Sequence, residues 1–455
     1  MHADRGTHFV RARAPRGSFA EELFPPELPW EGNCTAHTVF FDDEAKVYRL
    51  WYRTNGYFAY AESRDFEHWH KPMLAHVPFE SSSNTNLLGI VNVAELASSD
   101  LKSAADAQLG HAGSFFVDPT APEEERFKCT FIAPLKEGTH DYAKRTGRPI
   151  SVMTGPRSGV MFGAVSADGV GWRVLPEPIM LHDGDTLTVV RFDPVSRRYV
   201  MYTRLYELGR RTVGHAATSD FARWSLPRNM FSPGPNDSPA IDYYASAFGA
   251  YPGRADLRTM LCLEYDRAVD GSIVRFATSR DGHVFHSVPG EAAIEPRLAN
   301  RPSGNFTAAF PSLVRTPDGR MLVFCDVHST PHKFPRYRFG GSDHCAAEWP
   351  ADRLAGIEAS EDGSFTTAPL RLDGDRAVIN FRAARTGGVR VEARDESFRI
   401  LDGRSFDACD PLFGDETSAP VTWRGDGDLS EFRGRTIYLR FRLRAAKLFS
   451  VSAID

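Results

Sequence analysis

The sequence predicts an all-β protein: a five-bladed β-propeller followed by a C-terminal antiparallel β-sandwich. Three observations carry this reading. First, one phrase recurs, a strand running into Ser-x-Asp and a tight turn that an aromatic residue closes. Its copies are Ser63-Arg64-Asp65 with Trp69, Ser166-Ala167-Asp168-Gly169 with Trp172, Thr218-Ser219-Asp220 with Trp224, and Ser279-Arg280-Asp281-Gly282 with Phe285. Ser342-Asp343 with Trp349 reads as a worn fifth copy. Second, the intervals between Asp65, Asp168, Asp220, Asp281 and Asp343 run 103, 52, 61 and 62 residues, and one supersecondary unit repeated at such a period implies a radial array around a central pocket. Third, the texture changes at Leu354, after which short alternating strands are spaced by Gly- and Asp-rich turns, as in an antiparallel sandwich.

The order along the chain follows from these units. Residues 1–29 form an N-terminal extension, 30–352 the propeller and 353–455 the sandwich. In the first blade, His37–Phe41, Tyr48–Tyr52 and Tyr57–Glu62 alternate apolar and polar positions at period two. In the third, Leu187–Phe192 and Tyr199–Tyr202 flank the turn Asp193-Pro194-Val195-Ser196. The long first interval holds two polar stretches, Ser81–Gly110 and Lys136–Gly159, which lack sustained apolar periodicity and read as loops. Kelch and WD40 units have about this length, roughly 40 to 50 residues, but their signatures do not recur here. The plain alternative is an irregular β-sandwich in which Asp-Gly is ordinary hairpin chemistry.

Composition narrows the function classes. The 455 residues include 37 Gly, 30 Pro and 32 Phe, with 42% hydrophobic residues and no apolar run that could span a bilayer, so no membrane partner is expected. A net charge of −5 without a basic stripe argues against nucleic acid. Cysteines 34, 129, 262, 325, 345 and 409 form no Cys-x-x-Cys pair and read as buried thiols, so neither a metal nor another cofactor is expected. Met1–Pro29 has no apolar signal core, which reads as a cytoplasmic protein as written, or an exported one if the start is misassigned. Oligomeric state is not legible.

Candidate site residues are those at the starts of the inner strands, where side chains converge on the axis. They are Glu31, Asn33 and His37 in the first blade, His111 in the second, Asp183 and Asp185 in the third, Asp242 with Tyr243 and Tyr244 in the fourth, and Asn305 in the fifth. Two carboxyl groups across a pocket can break a glycosidic bond, one protonating the leaving oxygen while the other attacks or activates water. Asp183 and Asp185 share a strand face if the strand has begun, so one could hold the other protonated; His-Asp-Gly-Asp is equally good turn chemistry. Glu264 sits in the apolar run Met260–Tyr265, where it faces either the pocket or the surface. Arg204, Asp326 and His328 could reach the same mouth. Trp30, Tyr243 and Tyr244 are candidate sugar platforms. Asp118-Pro119 and Asp193-Pro194 read as hairpin tips.

Several of these runs resemble a family. Val39–Asp42 with Tyr48–Tyr52, Tyr60–Asp65 with Trp69, and Glu125–Lys128 look like the five-bladed β-propeller glycoside hydrolases, the group of invertases, levanases, arabinanases and xylosidases. His182–Thr186 with Phe192-Asp193 is similar to the third-blade segment of bacterial proteins related to the N-terminal region of family 32 hydrolases. Phe365–Leu370, Gly387–Glu392, Asp407–Asp410 with Gly414–Glu416, and Leu439–Leu443 resemble their C-terminal sandwich. The resemblance implies a retaining or inverting glycosidase acting on furanosides or related sugars without an obligatory metal. The invertase motifs Trp-Met-Asn-Asp-Pro-Asn-Gly, Arg-Asp-Pro and Glu-Cys are absent, and Asn33 and His37 stand where the nucleophilic Asp would be.

Three readings stay open: a hydrolase using Asp185 and Asp242, with Glu264 or Glu31 as a third carboxylate; a carbohydrate-binding propeller without catalysis; and a sialidase-like enzyme, since Ser-x-Asp-Gly-x-x-Trp approaches the Asp-box. A phosphorylase would have to use Arg204, Arg210, Arg211 and His215.

Overall fold

A computed structural model describes residues 2–3, 6–11, 24–32, 34–54, 57–91, 113–156, 158–185, 187–290, 292–294, 306–311, 313–328, 330–333 and 342–455. Five sheets follow one another between Cys34 and Pro350. Sheet I holds Cys34–Asp42, Val47–Thr54 and Tyr57–Ser63. Sheet II runs Ser114–Val117, Phe127–Ala133, Val160–Ser166 and Gly171–Val174, with Gly89–Val91 added in parallel at its outer edge. Sheet III is Val189–Asp193, Arg198–Glu207, Arg210–Thr218 and Arg228–Phe231. Sheet IV is Ile241–Tyr251, Arg254–Asp266, Gly271–Ser279 and His286–Ser287. In sheet V, Phe306–Ala309 and Val314–Arg315 both pair with Arg320–His328, as one interrupted strand, and Ser342–Pro350 pairs on the other side.

The first strand of each sheet touches the first strand of the next, and Val314–Arg315 of the fifth touches Cys34–Asp42 of the first, so the sheets close a ring. Alternation explains why. Buried Leu50 and Tyr52 face one neighbour while Trp51, one residue out of phase, faces the other, stacking on Phe115 of sheet II at 5.4 Å and donating its indole N–H to the Gly169 carbonyl at 2.8 Å. Tyr202 of sheet III stacks in the same way on Phe248 of sheet IV, with ring centroids 4.0 Å apart.

The Ser-x-Asp phrase has a physical role in four sheets. After its third strand, the Ser or Thr hydroxyl accepts an amide N–H from within the turn, while the Asp carboxylate accepts the amides that follow. In sheet II, Ser166 Oγ takes the Gly169 N–H at 2.9 Å and Asp168 Oδ1 takes those of Val170 and Gly171 at 2.9 and 2.8 Å. The closing indole then donates back: Trp69 to the Phe66 carbonyl, Trp172 to Gly169 and Trp224 to Phe221. Burial alone would raise the Asp168 carboxyl, but these amides and the Ser166 hydroxyl outweigh it and hold it below the usual range. The fifth copy is a correction. Ser342 and Asp343 begin a strand paired with Arg320–His328, so they make no such turn.

Two stretches expected to be loops carry structure. Gly89–Val91 is the edge strand of sheet II, and Thr139–Thr146 is a helix that ends at Gly147, whose φ of 69° suits glycine at a helix C-terminus. Both are too short for periodicity to reveal.

Beyond the ring, Ala355–Thr366, Arg376–Arg394, Asp415–Pro420 and Thr436–Ile454 form a seven-stranded antiparallel sheet together with Leu370–Arg371, His2–Ala3 and His8–Arg11. Residues of the N-terminal extension lend two strands to this sheet, His8 opposite Glu358 and His2 opposite Thr366. A bulge between Ala383 and Gly388 breaks the register of the two 19-residue strands. Gly387 lies there, where a Cβ would meet the Arg444 carbonyl oxygen at 2.3 Å. Phe381, Val391, Phe441 and Trp423 fill the core beneath. All six cysteines are buried thiols, and those of Cys325 and Cys345 lie 3.5 Å apart.

Candidate active site

The ring has two ends with different chemistry. At one end lie the hairpins that follow the first strands and the Ser-x-Asp turns. Arg49 ties the two together, donating to Asp42 at 2.8 Å and to the Asp168 carbonyl at 2.9 Å. The expected hairpin tips lie at this end. Asp193 accepts from Arg258 Nη2 with both oxygens, at 2.9 and 2.8 Å, and from the Ser196 amide at 3.1 Å, and Asp118 accepts from the Tyr199 hydroxyl. At the opposite end the chain enters each first strand.

The segment 182–188 enters sheet III at that second end. His182 is buried between Ser151 Oγ at 2.9 Å and Thr203 Oγ1 at 3.1 Å, and burial pushes its imidazole down to about 4, so it is neutral at pH 7. Gly184 follows because a Cβ would stand 2.4 Å from Thr188 Oγ1 and 2.8 Å from Thr203 Oγ1. Asp185 adopts φ of 56°, a left-handed conformation that Asp tolerates better than most residues. The loop is therefore wedged down onto two threonines, which aims both aspartates.

Asp183 donates its own N–H to Thr154 Oγ1 at 2.9 Å, while its Oδ1 accepts the Asp185 N–H at 3.0 Å. Burial raises the Asp183 carboxyl above the usual aspartate value, and the neighbouring Asp185 charge adds to this, against the opposing pull of the Asp185 amide, Ser158 and Arg204. Asp185 is half open to solvent, and Arg204 Nη1 clasps its Oδ2. Arg204 is itself buried, with Nε and Nη2 donating to the Tyr244 carbonyl at 3.1 and 2.7 Å, and its guanidinium lies 3.9 Å from the Tyr244 ring centroid.

The remaining predicted residues divide sharply. Asp242, expected to face Asp185 across a pocket, has no exposed surface; Arg211 Nη1 binds it at 2.7 Å and Arg267 lies at 3.6 Å, so it reaches nothing outside the protein. Glu264 is clasped by Arg275. Glu31 is wholly buried, accepting from Lys71 at 2.8 Å, from Tyr52, and from the amides of Glu27 and Leu28. These three carboxylates hold the fold together, because an unpaired charge at such depth would be costly. Trp30 is buried with its indole donating to Asn86 at 2.7 Å, and Tyr243 packs on Phe231 at 4.7 Å, so neither presents a face to a ligand. Tyr244 is half-buried but has Arg204 and Arg211 over its ring and its hydroxyl 2.8 Å from His332 Nε2. His328 ends its strand, half-buried. Asn33, His111, Asn305 and the side chain of His37 lie outside the described residues.

His332 and Tyr265 were not foreseen, and Arg211 was named only as part of a possible phosphate cluster. His332 and Tyr265 edge against Tyr244 at 5.0 and 5.5 Å, yet 88 positions separate His332 from Tyr244 and no local pattern links them. Arg211 left a signal, since a buried Asp242 requires a cation. Among the described residues no group of three or more His, Cys, Asp or Glu side chains could hold a metal.

Comparison with solved structures finds likenesses to glycoside hydrolases. A fructofuranosidase from Schwanniomyces occidentalis, complexed with fructosylnystose, is 10% identical, with 97% of this chain and 98% of that one covered and a TM-score of 0.39. An exo-inulinase from Aspergillus awamori is 11% identical, covering 96% and 98%, with a TM-score of 0.43. A thermostable family-43 glycoside hydrolase is 11% identical, covering 72% and 95%, with a TM-score of 0.45. No family profile matches the sequence, and no curated protein matches it.

Proposed function

We propose that the ring is a five-bladed β-propeller and that its second end hydrolyses a glycosidic bond, with Asp183 as proton donor and Asp185 as the partner carboxylate. The observation that supports this most is the raised Asp183 carboxyl, because a glycosidase must keep one acid protonated near its working pH to protonate the leaving oxygen. Desolvation shifts Asp183 in that direction, and Gly184 and the two threonines fix where the acid points. Arg204 orients Asp185, which has the open surface that Asp242, Glu264 and Glu31 lack. Furanosides are the proposed substrate class, on the sequence resemblance. The test is a panel of aryl furanosides and pyranosides with product analysis. A responsive glycoside should lose about 10²- to 10⁴-fold in turnover with Asp183→Asn, the usual worth of a positioned acid. Unchanged turnover would end the assignment.

A second reading is a carbohydrate-binding propeller without catalysis. It is favoured by the arginines that occupy Asp185, Asp242 and Glu264. Saturable sugar binding by calorimetry, with no product after long incubation, would support it over hydrolysis.

A further inference from the structure

The axis of the ring holds a cavity of about 140 Å³ near its first end, away from Asp183. Val39, Phe40, Phe248, Leu261 and Phe310 make most of its wall, and among the described residues no Asp or Glu lines it. Arg191, on the first strand of sheet III, is its one charged lining residue among those described.

The bonds of that guanidinium are lopsided. Nη1 donates to the Phe115 carbonyl at 2.7 Å, the Val190 carbonyl at 3.0 Å and Ser114 Oγ at 3.1 Å. Those contacts fix the plane of the group. Among the described residues, Nε and Nη2 make no hydrogen bond, and the side chain that carries them lines the cavity. Burial pushes the group down only to about 10, so it remains charged at neutral pH. Four other arginines of the ring, by contrast, each have a carboxylate: Arg204 has Asp185, Arg211 has Asp242, Arg258 has Asp193 and Arg275 has Glu264.

Nε–H and the adjacent Nη2–H lie parallel along one edge of a guanidinium, the spacing that matches both oxygens of a carboxylate. The geometry points to the axial cavity as a binding site for a small carboxylate, its two oxygens on the free edge of Arg191 and its short hydrocarbon part against Val39, Phe40 and Phe310. A carboxylate supplies both the missing counter-charge and an apolar tail that fits the wall, whereas a fully hydrated anion would leave that wall wet. This site is independent of the proposed glycosidase chemistry at the other end.

The experiment is thermal unfolding of the intact chain in sodium acetate, sodium propionate, sodium chloride and acetamide at matched ionic strength and pH 7, repeated with Arg191→Lys. Lysine keeps the charge but removes the two-pronged edge. The expected result is a saturable rise in Tm with acetate and propionate that chloride and acetamide do not reproduce, and that Arg191→Lys loses. The same rise with chloride or acetamide, no rise with any of them, or an undiminished acetate effect in Arg191→Lys would each overturn the proposal. If Arg191→Lys does not fold, the contrast between acetate and acetamide in the wild-type chain decides alone.

Discussion

The two ends of the ring are both built from aspartates in tight turns, yet they treat them in opposite ways. At the first end, the amides of Val284 and His283 hold Asp281 at about 2, and the Asp168 carboxyl is pulled low in the same manner. At the second, Asp183 is half-buried beside another carboxylate, accepts one amide and is raised. Residue type is the same. The difference is the number of donors aimed at the carboxylate against the amount of water removed from it. A turn that turns its amides inward makes a structural anion; a turn wedged onto Thr188 and Thr203 leaves an acid in search of a proton.

Substitutions can break or sharpen that contrast. The largest effect is expected from Asp185→Asn, about 10²-fold or more in turnover on a responsive glycoside, while Asp281→Asn at the other end leaves turnover unchanged. Equal losses in both would show that the ends do not differ in function. Asp242→Ala should act on stability, costing about 3 kcal/mol by chemical denaturation because Arg211 would be left without its charge partner. Activity per folded molecule should persist in that variant. Ser166→Ala removes the hydroxyl that receives the Gly169 amide and should cost about 1 kcal/mol, read as a shift in the denaturation midpoint.

The smallest effect is in the pH dependence of stability, and its sign differs between the ends. Asp183 binds its proton more tightly folded than unfolded, so its contribution is present below the ordinary aspartate value and fades as pH rises through its raised value. Asp281, held at about 2, contributes above the ordinary value and loses it as pH falls toward 2. Asparagine at 183 should therefore flatten the stability curve on its upper side and asparagine at 281 on its acid side, measured as Tm against pH. Identical curves for the two variants would remove the electrostatic distinction.

Much of the ring was legible because its signals are local. Ser-x-Asp with a closing aromatic states its own hydrogen bonds, and Trp51, out of phase with Leu50 and Tyr52, announces a strand buried on both faces. The strands at His2 and His8 were not legible, since a two- or four-residue edge strand takes its identity from the partner it meets at Ala355–Thr366. The site was legible as residue types and not as partnerships. Asp185 and Asp242 look equivalent in the sequence, and only the placement of Arg211, thirty-one positions from Asp242 and folded over it, separates a sealed ion pair from an open carboxylate. Periodicity carries which face a side chain takes; it carries nothing about which arginine arrives there.

The most direct test pairs two readings on Asp183→Asn at pH 7: turnover of a glycoside that the wild-type chain cleaves, and melting temperature. An acid whose proton affinity is raised by burial at a cost to the fold should give turnover lower by orders of magnitude with a melting temperature equal to or above that of the wild type. Wild-type turnover, or a loss of turnover that merely tracks a lower melting temperature, would contradict it.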